Sequence, residues 1–169
     1  MLIRAYAAAD WPGVWAILEP VFRAGETYAF PRDMSESQAH DTWTAAGKHV
    51  FVAVDEATGE LLGTYYVKAN FEGAASHICN CGYVVSEGAR GRGIAARMCE
   101  HSQREALAHG FRAMQYNLVV SSNESAVHLW KKMGFTIVGT IPEAFRHPRL
   151  GFVDAYVMYK RLRAAEPSA

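Results

Sequence analysis

The sequence predicts a mixed α/β sheet with helices on both faces. Three observations carry that expectation. Strand-like segments follow one another between residues 49 and 85, a glycine-rich turn then opens a long helical stretch, and strand and helix patterns alternate from there on. Antiparallel strands feeding a βαβ crossover place parallel and antiparallel pairs in one sheet.

A short strand over 2–6 opens the chain, with Asp10 expected to cap the first helix. Trp11, Val14, Trp15, Leu18 and Phe22 recur at helical spacing and form one apolar stripe. Pro20 within that stripe is expected to kink or end the helix, because its ring displaces the hydrogen bond to Ala16. Ser35-Glu36-Ser37-Gln38 has the form of a capping box and starts a second helix to about Ala46. Strands over 49–54 and 61–69 flank the turn-rich Asp55-Glu56-Ala57-Thr58-Gly59, which reads as a hairpin, and 76–85 is a third long strand. Beyond the glycine-rich Arg90–Gly93 turn a helix runs to His109-Gly110. A strand over 114–120, a helix over 123–133 and strands over 135–141 and 152–161 complete the order β-α-α-β-β-β-α-β-α-β-β.

Composition bounds the function. Half of the 169 residues are hydrophobic, enough for a sizeable core. Seventeen basic and seventeen acidic residues cancel to zero, which argues against a nucleic-acid coat. No apolar run is long enough to cross a bilayer, and Met1-Leu2-Ile3-Arg4 lacks the apolar stretch of a secretory signal. The three cysteines, Cys79, Cys81 and Cys99, are too few and too close for a disulfide framework, so a reducing, cytoplasmic setting is expected. Residues 1–163 read as one domain and 164–169 as a disordered tail.

The most informative stretch runs from Tyr83 to Ala96. A strand enters a turn of small residues that opens a helix. The first N–H groups of a helix lack intrahelical partners and lie at the positive end of its dipole. Glycine removes the Cβ atoms that would keep a phosphate away from them. Arg90, Arg92 and Arg97 add positive charge with no acid between Gly88 and Cys99, the pattern of a diphosphate cradle. An ordinary surface turn with solvated arginines is the simpler alternative. Gly91-x-Gly93-x-x-Ala96 also fits the dinucleotide fingerprint, but the next strand ends Val119-Val120-Ser121-Ser122 without the required acid, and the preceding half is antiparallel.

Arg90-x-x-Gly93-x-Ala95 resembles the Gln/Arg-x-x-Gly-x-Gly/Ala signature of the GCN5-related N-acetyltransferases, and Asn123-Glu124-Ser125-Ala126-Val127-His128-Leu129-Trp130 through Gly134-Phe135 resembles that family's second signature. The element order over 2–162 is similar as well. Within the family, Ala24 to Phe30 and the late Asp154 resemble the branch acting on amino acids and phosphinothricin.

The resemblance implies an acyltransferase that moves acetyl from acetyl-CoA to a small primary amine, an amino acid among the candidates, by direct attack in a ternary complex and without a metal. It implies that Arg90, Gly91, Arg92, Gly93, Ile94, Ala95 and Ala96 hold the coenzyme A diphosphate, that Val84 and Val85 pair with its amide-bearing arm like an added strand, and that Asn123, which by itself reads as the N-cap of the next helix, bonds the same arm. A backbone N–H near Val84 or Val85 would face the developing oxyanion. Pairing of this kind needs two parallel strands to splay, and Cys81-Gly82 is the expected bulge. Membership also admits a homodimer.

The chain departs from the family pattern twice. Trp130 stands where the thiolate's tyrosine proton donor is usual, and an indole cannot take that part; its place on the stripe with Ala126, Leu129 and Met133 favours packing. Asn80 stands near the usual basic glutamate and is left to position a water. Glu26 is the candidate amine anchor or remote base, against an exposed loop carboxylate, and Tyr28 and Phe30 are candidate walls of the acceptor pocket. His77, Cys79 and Cys81 share one strand face but lack a fourth ligand for zinc. His101 and His109 read as solvated. The rivals to an enzyme of small amines are an acyl-CoA sensor without turnover and a protein N-terminal acetyltransferase.

Overall fold

The computed structural model describes residues 1–162, so the expected tail at 164–169 lies outside the described residues. Seven strands, β1 (Leu2–Ala5), β2 (Lys48–Val54), β3 (Leu61–Ala69), β4 (Ile78–Val85), β5 (Ala113–Val120), β6 (Thr136–His147) and β7 (Gly151–Arg161), form one sheet in the order β1-β2-β3-β4-β5-β7-β6. Every pairing is antiparallel except that of β4 with β5. Helices α1 (Trp11–Ala24) and α2 (Glu36–Trp43) lie against one face; α3 (Ile94–Ala108) and α4 (Glu124–Lys132) lie against the other.

Each face buries the strand residues of one parity. Val14, Leu18 and Phe22 of α1 and Trp43 of α2 pack on Val52, Tyr66 and Val84. Met98 and Cys99 of α3 and Trp130 of α4 pack on Tyr65, Cys79, Cys81, Met114 and Tyr116. The expected element order is the observed one. α1 does not end at Pro20 but continues to Ala24, where Gly25 closes it in the left-handed region at φ 64°. Burial of its apolar stripe outweighs the hydrogen bond that Pro20 removes. Of the three aromatic residues on that stripe, Phe22 is buried, whereas Trp11 and Trp15 stack on each other at the rim.

The two expected caps differ. Ser35 Oγ accepts from the N–H of Gln38 at 3.2 Å, and Gln38 Oε1 accepts from the N–H of Ser35 at 2.9 Å, a complete capping box. The Asp10 side chain does not cap α1. Both its oxygens accept from Arg4 at 2.7 Å and one accepts from the N–H of Ala7, which holds its carboxyl below the usual carboxylate range.

Candidate active site

The site begins where the sheet comes apart. Strands β4 and β5 pair only at Ile78 with Ala113 and Cys79 with Met114, and then diverge toward Val85 and Val120. No bulge at Cys81-Gly82 causes this, since β3 and β4 stay in register from Gly63–Val85 to Ala69–Cys79. Gly82 has another use: a Cβ there would lie 2.8 Å from the Tyr66 ring and 3.0 Å from the Tyr28 hydroxyl. The absent side chain lets two tyrosines close on the strand.

Register decides which backbone groups face the fork. The N–H of Ser86 donates to Leu62 O at 2.9 Å and that of Asn70 to Ile78 O at 2.8 Å, so even-numbered β4 residues turn their polar groups to β3. Val84 therefore bonds within the sheet and buries its side chain under α1 and α2, contrary to its expected part in holding a ligand arm. Tyr83 and Val85 turn theirs into the fork. The Tyr83 carbonyl already accepts from the Tyr28 hydroxyl at 3.0 Å, while Val85 is left open.

The glycine-rich turn follows directly. Gly91 and Gly93 have φ of 75° and 76°, a region side chains avoid, and a Cβ on either would meet nothing within 4 Å. The space before α3 is open, and no side chain caps the helix. The N–H groups of Ile94, Ala95 and Ala96 thus end in an uncapped positive terminus; the Ile94 side chain is buried in the core. The three arginines are less free than their spacing suggests. Arg92 lies 3.5 Å from Asp55 of the β2–β3 turn and Arg97 donates to Met1 O at 3.4 Å, while Arg90 has no such partner among the described residues. Asn123 caps α4 with Oδ1, accepting from Ala126 N–H at 3.3 Å and Ser125 Oγ at 3.1 Å, and its NH₂ group has no partner among the described residues.

At the root of the fork, on the α1/α2 face, stands a band of amides. Asn80 is buried and donates from Nδ2 to Gln115 O at 2.8 Å. Among the described residues its Oδ1 has no hydrogen-bond partner, and it is not sealed from solvent. Gln115 donates to Asn117 Oδ1 at 2.9 Å, and Asn117 and Asn70 exchange hydrogen bonds of 3.0 and 2.7 Å. Gln115, Asn117 and Asn70 were not singled out from the sequence. Their signal was alternation in Met114-Gln115-Tyr116-Asn117, a central strand with one polar face.

The expected acceptor loop contributes unevenly. Phe30 packs on Phe22 and stacks on Tyr28, whose hydroxyl is enclosed and pushed well above the usual phenol range by burial. Tyr28 braces the fork and Phe30 its support. Glu26 is not a free carboxylate: its Oε1 lies 2.8 Å from Arg149 of the β6–β7 turn. Trp130 packs between Tyr83, Tyr116 and Phe135, as its stripe predicts. His101 is half-buried rather than solvated, with Nδ1 2.6 Å from the Tyr65 hydroxyl, and burial lowers its pKa. Cys79, Cys81 and Cys99 are free and buried, and among the described residues no three His, Cys, Asp or Glu side chains are disposed to hold a metal ion.

A glycine-built, uncapped helix terminus beside splayed parallel strands is what the Arg90 and Asn123 signatures imply, and the sequence profile of the acetyltransferase (GNAT) family matches residues 11–135. The chain belongs to the GNAT acetyltransferase family. The acetyltransferase is 37% identical to a GCN5-related N-acetyltransferase from Kribbella flavida, whose structure superposes with a TM-score of 0.90 over 95% of this chain and 97% of that one. It is 32% identical over 148 residues to N-acetyltransferase aca1 of Schizosaccharomyces pombe, covering 79% of this chain and 71% of the relative. It is also 32% identical to an L-methionine sulfoximine/L-methionine sulfone acetyltransferase of Pseudomonas aeruginosa, covering 83% of each. The acetyltransferase is thus an acetyl-CoA-dependent enzyme, and the open turn and fork fit that cosubstrate. No helix among its described residues is long and apolar enough to cross a membrane.

Proposed function

We propose that this enzyme acetylates the amine of a small, amino-acid-like acceptor by direct attack in a ternary complex, with Asn80 as the residue that orients the amine. Acetyl-CoA supplies an activated acetyl thioester. The N–H groups from Gly91 to Ala96 hold its diphosphate with Arg90 alongside. Val85 bonds its arm, and the Asn123 NH₂ group bonds the same arm.

The single observation behind the assignment is the Asn80 amide. Its Nδ2 is tied to Gln115 O, so its Oδ1 has a fixed aim at the root of the fork. An amide oxygen accepts an N–H and turns the nitrogen lone pair toward the acetyl carbon. Asn80 cannot take the proton, so it orients the amine or a water that does. The α-ammonium of a free amino acid, beside its own carboxylate, holds its proton more tightly than a peptide terminus does, so a water held by Asn80 is needed to take that proton before attack. The Val85 N–H, free of the β3 ladder, is left for the coenzyme arm, which runs from the glycine-rich turn toward Asn80. The names of the Pseudomonas relative's substrates favour a polar amino acid, and the neutral band Asn70, Gln115 and Asn117 suits one.

Two further features belong to this reading. Val138, Ile141, Leu150 and Phe152 are exposed along the β6 edge and its hairpin, which favours a homodimer through that edge. Three unpaired cysteines favour a reducing, cytoplasmic setting.

The test is thiol release from acetyl-CoA against a panel of amino acids and amines, with Asn80→Ala beside the wild type. Thiol release with a small amino acid, and a fall in kcat of about tenfold or more in the variant at unchanged acetyl-CoA affinity, are expected. Coenzyme binding without release for any amine would leave only a sensor.

A further inference from the structure

Arg149 stands on an arm built to reach across the fork. Strand β7 pairs with β5 only as far as Ala155 with Val120, yet β6 and β7 stay paired out to His147 and Gly151. The hairpin therefore projects past the end of β5, at the wide end of the fork. Its base is pinned by Asp154, whose Oδ1 accepts from Glu143 N–H at 3.0 Å and whose carbonyl accepts from Ser121 N–H at 2.9 Å. Its tip is pinned by the buried His147, whose Nδ1 accepts from the N–H groups of Arg149 and Leu150 at 3.2 and 3.3 Å. On the opposite bank Glu26 belongs to the loop that Tyr28 fastens to β4. The 2.8 Å contact between Arg149 and Glu26 joins the two banks over the mouth.

We infer that Arg149 is the subsite for the acceptor's carboxylate and that its ion pair with Glu26 is a latch which that carboxylate displaces. The inference rests on the acceptor reading proposed above and narrows it to α-amino acids. The Arg149 side chain is 75% exposed, and a pair in such a setting is weak, so an incoming anion exchanges with it at little cost. A guanidinium takes a carboxylate in bidentate fashion, so an acceptor's carboxylate can replace that of Glu26 on the same fork of donors. Exchange with a zwitterion also leaves neither side chain without a partner, because the acceptor's ammonium faces Glu26 until its proton is lost. A simple amine opens the latch and leaves Arg149 unpaired. The arch thus selects amino acids as they enter, before the amine passes to Asn80 at the root of the fork.

The experiment compares L-methionine sulfone with 3-(methylsulfonyl)propan-1-amine, the same molecule without its carboxylate, in wild type, Arg149→Gln and Arg149→Lys. The wild type should prefer the amino acid. Arg149→Gln should raise its KM about tenfold or more, with kcat within about twofold, while the amine's KM holds or falls slightly and the acetyl-CoA KM is unchanged. Arg149→Lys should recover part of the loss. Equal effects on both acceptors, or an effect on neither, would overturn the subsite and leave acetyl transfer standing. So would a wild type that acetylates the amine but not the amino acid. Coenzyme binding with no thiol release for either acceptor would overturn both readings.

Discussion

The phenol oxygens of Tyr83 and Tyr116 lie 3.1 Å apart and bridge β4 and β5 where the backbone ladder between them has already ended. Ser102 Oγ lies 2.6 Å from the Tyr83 hydroxyl and donates to Cys99 O at 2.8 Å, which ties the bridge to α3. Burial pushes both phenols well above the usual range, so they stay neutral and act as hydrogen-bonded struts. On the opposite face Asn80 reaches Gln115 O at 2.8 Å. The fork is braced from both sides by side chains.

Removing one strut should cost stability without reaching the coenzyme cradle. Tyr116→Phe leaves Tyr83 bonded to Ser102 and should lower the unfolding free energy by about 1 kcal/mol in urea titrations. Acetyl-CoA affinity should be unchanged within about twofold. A larger loss of affinity would mean that the struts set the width of the fork.

The cradle is tested by Gly93→Glu. A side chain at φ 76° is strained, at roughly 1 kcal/mol, and its carboxylate enters the space meant for a diphosphate. Binding of acetyl-CoA by calorimetry should weaken at least about a hundredfold, while the melting temperature falls by only a few degrees. Retained affinity would place the diphosphate elsewhere.

Trp43 offers a test of the other face. Its side chain is fully buried and its indole N–H donates to Thr64 Oγ1 at 3.2 Å, which in turn donates to Phe51 O at 2.9 Å. Thr64→Val keeps the shape and removes the acceptor, leaving a buried N–H unpaired at about 1–3 kcal/mol. Thr64→Ser should recover part of that loss in the same urea titration.

Stability should also depend on pH through Lys48. Burial, with Lys68 nearby, lowers its pKa from 10.5 to about 8. The unfolded chain then holds the proton more tightly, so this group's contribution rises with pH across that interval and is least favourable below it. Buried tyrosines and cysteines with raised pKa values act in the opposite direction. Comparing urea midpoints of wild type and Lys48→Met between pH 7.5 and 10 isolates the effect: the wild type should gain on the variant as pH rises. A constant difference would contradict the shift.

Much of this molecule could be read residue by residue. The stripe of α1, the capping box at Ser35, the helix beginning after Gly93 and the Asn123 cap each depend on neighbours within a few positions, where backbone sterics and helix geometry act directly. The same local rules left open whether Pro20 ends the helix, and packing of Val14, Leu18 and Phe22 carries it onward to Ala24. They also stopped β6 short, because its irregular register between Ile141 and Phe145 hides the strand's continuation to His147.

The order of elements and the bare amides at the mouth of α3 were thus determined by the amino-acid sequence alone. Only the tertiary structure decided that Val85 rather than Val84 faces the fork, that Asn80 is aimed by a β5 carbonyl, and that Glu26 meets Arg149. Those relationships join residues far apart in the chain. They follow from sheet order, register and the length of one hairpin, quantities that no short window of residues encodes.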